Sequence, residues 1–216
     1  MVVAVDGPAG VGKTTVARGV AAALGLPHLD TGAFYRAVTL AVVRSGVDPT
    51  DADAVLAVAA ASRLDYAGGV MLLDGEPVAA AVRAPAVAAL VSAVSAFAEV
   101  RRVVVSQQRA WVERHGGDAV VEGRDIGTVV FPEAAVKVYL VADPAERARR
   151  RGRDREAAGL PPDEIERQLR ARDHADSTRE ASPLRPAEDA VIIDTTHLAV
   201  GHVVAIVLGL VAEAQA

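Results

Sequence analysis

Cysteine is absent from the 216 residues, which excludes disulfides and thiolate chemistry and fits a reducing compartment. Lysine is nearly absent too: Lys13 and Lys137 are the two lysines among 23 basic residues, and the rest are arginine. Aromatic residues are scarce, and three Tyr, three Phe and one Trp leave little material for a base-stacking surface. A formal net charge of −5 gives no overall field that would attract nucleic acid, so any basic site must be local. No apolar run reaches the roughly 20 residues of a membrane span. The longest, Leu198 to Ala212, is broken by Gly201, His202 and Gly209 and reads as a buried C-terminal helix. No basic segment precedes the first apolar run, so no signal peptide is read and a cytoplasmic location is expected. The histidines at 28, 115, 174, 197 and 202 lack metal-ligand spacing, read as structural or surface residues, and give no expectation of zinc.

What is present suffices for one α/β core with small insertions, since 51% of the residues are hydrophobic and 24% charged. Gly7-Pro8-Ala9-Gly10-Val11-Gly12-Lys13-Thr14, followed by Thr15, is a complete G-x-x-x-x-G-K-[ST] loop. It follows the apolar run Val2 to Val5 and precedes a helical pattern. Strand, glycine loop and helix start in that order turn backbone N–H groups toward one point, where the helix dipole adds positive charge. A nucleotide polyphosphate fits there, with Lys13 on the outer phosphates and the Thr14 hydroxyl on magnesium.

Short apolar runs recur at Val2 to Asp6, His28 to Asp30, Ala119 to Glu122, Val136 to Val141 and Ala190 to Asp194, with helical patterns between them. Strands buried on both faces and alternating with helices predict a parallel sheet covered on two sides, its site at the carboxyl ends of the strands. Two stretches break the alternation. Between Ser62 and Val82, Gly68-Gly69 and Asp74-Gly75 separate short apolar runs, the turn chemistry of successive β-hairpins. From Asp143-Pro144-Ala145-Glu146, a capped helix start, the chain runs through Arg147, Arg149, Arg150, Arg151, Arg153 and Arg155. After Gly159-Leu160-Pro161-Pro162 a second helix, from about Asp163, carries Arg167, Arg170, Arg172 and Arg179.

Three readings of this arginine hairpin compete. Glu156, Asp163, Glu164, Glu166 and Asp173 offer partners for a solvated, salt-bridged surface. Nucleic-acid contact is the second, weakened by the acidic whole. The third is a lid that brings guanidinium groups to a transferring phosphoryl, whose spread charge is stabilised by positioned cations. Acceptor positions fall at Asp30-Thr31-Gly32-Ala33-Phe34-Tyr35-Arg36 and at Glu122-Gly123-Arg124-Asp125-Ile126-Gly127-Thr128. The Arg124-Asp125 pair either clamps a phosphate while reading a base or sugar, or is a structural loop ion pair. A guanine-reading switch would carry Asn-Lys-x-Asp and, at the third strand, Asp-x-x-Gly, and the chain has neither.

These residues resemble the bacterial cytidylate kinases, within the P-loop nucleoside monophosphate kinases, over nearly the whole chain. The likeness runs through Asp6-Gly7-Pro8, Asp30-Thr31-Gly32-Ala33 with Tyr35-Arg36, Ser92 with Phe97 and Arg101, and Gln108-Arg109. It continues through Gly123-Arg124-Asp125, Gly127 to Pro132, and Arg172-Asp173 with Asp176, Arg179, Pro183 and Leu184. The resemblance implies a P-loop kinase fold in the α/β class: a five-stranded parallel sheet flanked by helices, a small antiparallel β insert and a helical lid. It implies a single kinase domain whose core is residues 1–32, 98–145 and 182–216, with a CMP-binding region and β insert at 33–97 and an arginine-rich lid at 146–181.

It further implies ATP-dependent phosphorylation of CMP and dCMP with Mg²⁺, the nearest alternative being UMP, AMP or a hydroxyl acceptor on the same fold. Gly7 to Thr15 would hold ATP. Thr31, Arg36, Ser92, Arg101, Arg124, Asp125, Arg172, Asp176 and Arg179 would form the CMP site, with Ser92, Arg101 and Asp125 on cytosine and Asp176 on ribose. Lys13 and Arg172 would act on the transferring phosphoryl, together with Arg147 and Arg151, which their helical spacing favours among the lid arginines. No nucleic-acid or membrane partner is expected, and lid motion suggests a monomer. Thr31 stands where many members have serine, and Thr14 where some have glycine.

Overall fold

The computed structural model describes residues 1–153 and 159–216, so Arg155 and Glu156 of the arginine hairpin lie outside the described residues. The chain divides into two compact units, Met1–His28 with Gly117–Ala216, and Leu29–Gly116.

In the first unit, β1 (Val2–Asp6) leads through the glycine loop into α1 (Lys13–Leu24). The strand β2 (His28–Asp30) begins at this unit's last residue before Gly117. After the second unit come β6 (Ala119–Glu122), β7 (Val136–Val141), α6 (Pro144–Arg151), α7 (Pro162–Thr178), β8 (Val191–Asp194) and α8 (Val200–Gln215). The five-stranded sheet has the order β2-β6-β1-β7-β8. β1 pairs in parallel with β6 (Val3↔Val120) and with β7 (Val3↔Val136), and β7 with β8 (Leu140↔Ile193). Double-faced burial holds for the central β1 and β6, which read as continuous apolar runs because both faces are covered. It fails for β8, which starts one residue later than expected and leaves Ile192 60% exposed, because an edge strand is covered on fewer sides.

α8 also differs from the buried helix expected. Val203, Val207 and Val211, one helical face, pack on a core with Val16, Val20, Val138 and Ile193, while Val200 and Ile206 remain exposed. Its apolar content exceeds the stripe that α1 and β7 cover. Among the described residues no helix is long and apolar enough to cross a membrane.

The second unit holds α2 (Thr31–Ser45), α3 (Ala52–Ala61), β3 (Leu64–Ala67), β4 (Val70–Leu73), β5 (Glu76–Pro77), α4 (Pro85–Val94) and α5 (Ala98–Arg114). The three strands form the expected antiparallel insert in the order β3-β4-β5. Both hairpin turns carry two consecutive positive φ values, 57° and 82° at Gly68-Gly69 and 52° and 84° at Asp74-Gly75, the twist that tight hairpins require. Gln107 and Trp111 anchor the insert to α5: Gln107 Oε1 accepts the Leu64 amide at 2.8 Å, and Trp111 Nε1 donates to the Tyr66 carbonyl at 2.8 Å.

Candidate active site

Close approach of backbone fixes the glycine loop. A Cβ on Gly7 would lie 2.3 Å from the Leu140 carbonyl oxygen, and Gly10, at φ +79°, would place one 3.0 Å from the Arg147 carbonyl oxygen. Lys13 opens α1, is buried, and bonds the Pro8 carbonyl through Nζ at 2.7 Å. Burial holds its ammonium well below the usual lysine range, with Arg124 and Arg172 pushing the same way and Glu122 and Asp6 opposing.

The two loop-facing acids at strand ends are both engaged. Asp6 accepts the Ile126 and Gly127 amides at 2.9 and 2.8 Å, which pins the turn after β6 to the end of β1. Burial raises its pKa to about 6, against those two hydrogen bonds and with help from the Asp125 charge. Glu122 accepts the Thr14 hydroxyl at 2.9 Å and lies 2.9 Å from His28 Nε2.

The arginine hairpin divides between the competing readings. Arg149, Arg167 and Arg170 are exposed and pair with Glu146, Glu164 and Glu166, the salt-bridged surface. Arg147 and Arg150 instead reach the glycine loop. Arg147 Nη1 bonds the Ala9 carbonyl at 3.2 Å and the Asp173 carboxylate, whose other oxygen accepts the Ala9 amide at 3.1 Å. Arg150 Nη1 bonds the Val11 carbonyl at 3.1 Å and Thr195 Oγ1 at 2.9 Å, and Nη2 bonds the Thr195 carbonyl at 2.6 Å. The loop carbonyls of Pro8, Ala9 and Val11 therefore each meet a cation. Arg151 ends α6, half-buried, and Arg172 is half-buried in α7.

The expected acceptor residues fall in both units. In the first, Arg124, Asp125, Asp176 and Arg179 come together although 55 positions separate the ends of the set: Arg124 Nε donates to Asp176 at 2.9 Å, and Arg179 lies 3.7 Å from Asp176 and 3.9 Å from Asp125. Arg124 thus pairs across the fold rather than with its neighbour Asp125. In the second unit Asp30 caps α2, accepting the Ala33 amide at 3.2 Å and Arg36 Nη2 at 3.2 Å. Thr31 is the buried first residue of α2. Arg101 is buried in α5, donates to the Ser95 carbonyl at 3.1 Å, and places its guanidinium 4.8 Å from the Tyr35 ring centre. Ser92, on α4, accepts the Ser95 hydroxyl at its carbonyl, 3.2 Å away.

Sequence reasoning passed over Glu122 as a partner of Thr14, and Arg150, Asp173 and Thr195 as partners of the loop. The acid that ends the third strand was a visible signal for Glu122. The other three declare themselves only through contacts distant in sequence.

A glycine loop closed by guanidinium groups, set between the first strand and helix of a five-stranded parallel sheet, defines a P-loop kinase. Two solved structures share the fold and inform on nothing else: an uncharacterized protein from Eubacterium ventriosum (TM-score 0.55, 12% identity, 99% of this chain and 98% of that one) and a sugar kinase from Janibacter (TM-score 0.51, 17%, 98% and 94%). The chain belongs to the cytidylate kinase family, whose model matches residues 3–213. A cytidylate kinase of Mycobacterium avium is 50% identical over 94% of this chain and 92% of its own. Those of Mycobacterium leprae and Limosilactobacillus reuteri are 47% and 43% identical, each over 99% of this chain and 96% of the relative.

Proposed function

We infer that the chain transfers the γ-phosphoryl group of ATP to the phosphate of CMP and dCMP in one in-line step. The glycine loop itself carries this reading: Lys13, Arg147 and Arg150 reach its Pro8, Ala9 and Val11 carbonyls, a set of cations suited to a polyphosphate. The acceptor oxygen is already ionised near neutral pH, so no general base is required and catalysis reduces to alignment and charge stabilisation. Asp30, as a helix cap paired with Arg36, is engaged in holding α2.

Gly7 to Thr15 holds the ATP phosphates, with Lys13, Arg147, Arg151 and Arg172 on the transferring group. Arg147 reaches the phosphoryl by exchanging the Asp173 carboxylate for phosphate oxygens. Thr31, Arg36, Arg124, Arg172 and Arg179 hold the CMP phosphate, Ser92, Arg101 and Asp125 read cytosine, and Asp176 binds ribose. Residues 146–181 act as the lid, 33–97 as the CMP-binding region with its insert, and 1–32, 98–145 and 182–216 as the core. The protein works as a cytoplasmic monomer.

Mg²⁺ fits the loop. Among the described residues no group of three or more His, Cys, Asp or Glu could cage a metal ion, and the loop offers the Thr14 hydroxyl, bonded to Glu122. That set suits a cation held mainly by phosphates and water. When bound, Mg²⁺ neutralises charge developing between the β- and γ-phosphates.

The test is ADP release with Mg²⁺ and ATP, comparing CMP, dCMP, UMP, AMP and shikimate against a blank without acceptor. Turnover confined to CMP and dCMP is expected. Equal release without acceptor would mark a hydrolase and end the reading, and turnover on UMP, AMP or shikimate would move it to another kinase of this fold.

A further inference from the structure

His28, which the sequence offers only as a structural or surface residue, meets the phosphate loop through one intermediary. Its Nε2 lies 2.9 Å from Glu122 Oε1, and Glu122 Oε2 accepts the Thr14 hydroxyl at 2.9 Å. The imidazole and carboxylate side chains are 10% and 4% exposed. Opposite a carboxylate oxygen the ring nitrogen is the donor, as it is both in the neutral Nε2–H tautomer and in the imidazolium.

A hydroxyl has one proton and two lone pairs. Thr14 spends its proton on Glu122, so it presents lone pairs to the loop, the form that a cation accepts. That depends on the carboxylate staying in one orientation. The terminal torsion of a glutamate is broad and fixes nothing by itself. His28 on one oxygen and Thr14 on the other are two contacts that help to set the plane of the group.

We propose that His28 is a positioning residue for the divalent cation that accompanies ATP: it holds Glu122 so that Thr14 keeps its lone pairs turned to the metal. The inference rests on the reading of the loop as an ATP and Mg²⁺ site. It differs from a purely architectural role for His28, which would change the fold or the loop with or without metal.

Asparagine and glutamine separate the two roles, because the glutamine amide nitrogen sits where Nε2 does, whereas that of asparagine sits near Nδ1 and falls short of Glu122. The full chain, saturated with the β,γ-imido analogue of ATP, is titrated with Mn²⁺ while free ion is followed by electron paramagnetic resonance. Analogue affinity without metal is measured by calorimetry on the same samples.

His28→Asn should weaken Mn²⁺ retention about tenfold, the lower end for loss of a partner behind a metal ligand. His28→Gln should recover most of it, and metal-free analogue affinity should stay unchanged in both. His28→Phe, which keeps a ring and removes the donor, should match asparagine, and it serves in its place if asparagine does not fold. The inference is overturned if the asparagine and phenylalanine variants retain Mn²⁺ as the unmodified chain does, if glutamine falls with them, or if metal-free affinity drops by the same factor. The unmodified chain is compared first with the analogue alone: no extra Mn²⁺ held by the protein would sink the ATP reading itself, and this inference with it.

Discussion

Asp6 ends β1 inside the core with both oxygens taken by backbone amides, and its pKa nevertheless rises to about 6 because burial outweighs those bonds. A carboxyl raised from 3.8 binds its proton more tightly in the folded chain than in the unfolded one, so it withdraws stability as pH climbs through that window. That rise corresponds to roughly 3 kcal/mol. Asp6→Asn removes the titration along with one acceptor. The stability of the unmodified chain relative to this variant, from urea unfolding, should therefore fall between pH 4 and pH 7, and a flat or rising difference would contradict the assignment. In the proposed CMP site, Asp125 would accept from the exocyclic amine of cytosine, where uracil presents an oxygen. Asp125→Ala should reduce the preference for CMP over UMP in kcat/KM by about tenfold to a hundredfold with ATP binding kept. An unchanged preference would remove Asp125 from base reading.

α6 shows how one helix can serve two purposes. Its exposed Arg149 pairs with Glu146, which also takes Arg150 Nε and is drawn down to a pKa of about 2 by those two guanidinium groups. Arg150 then reaches past that pair to the loop and to Thr195, itself buried and bonded to the Val11 and Val141 carbonyls. Arg150→Ala should raise KM for ATP about tenfold, the loss of charge-assisted hydrogen bonds to a partly buried loop, and leave CMP affinity intact. Arg149→Ala should change neither. Equal effects of the two would mean that the helix acts as undifferentiated charge. Helical spacing singled out Arg147 and Arg151 and missed Arg150, because which arginine meets the loop is decided by its partners. The partner of Arg147 is 26 residues away at Asp173 and that of Arg150 is 45 away at Thr195.

Over the whole molecule, what was local in the sequence was legible. The spans of β1, β2, β6 and β7, both hairpin turns and the Asp143 cap, which accepts the Ala145 amide at 2.8 Å, follow from apolar runs, glycine pairs and an Asp-Pro start. What depends on how much surface the fold can cover was not. β8 and α8 are as apolar as buried elements yet lie at an edge and on one face. The chemistry divides the same way: the glycine loop declares itself in eight consecutive residues, while the bond from Thr14 to Glu122 spans 108 positions. Family membership gives the chain its activity, phosphoryl transfer from ATP to a cytidine monophosphate. The most direct measurement follows labelled γ-phosphate of ATP into product, for the unmodified chain and for Lys13→Ala, with CMP binding checked by calorimetry. Label in CDP from the unmodified chain alone, with CMP binding retained by the variant, is the expected result. Label appearing only as inorganic phosphate, or transfer surviving without Lys13, would contradict the account.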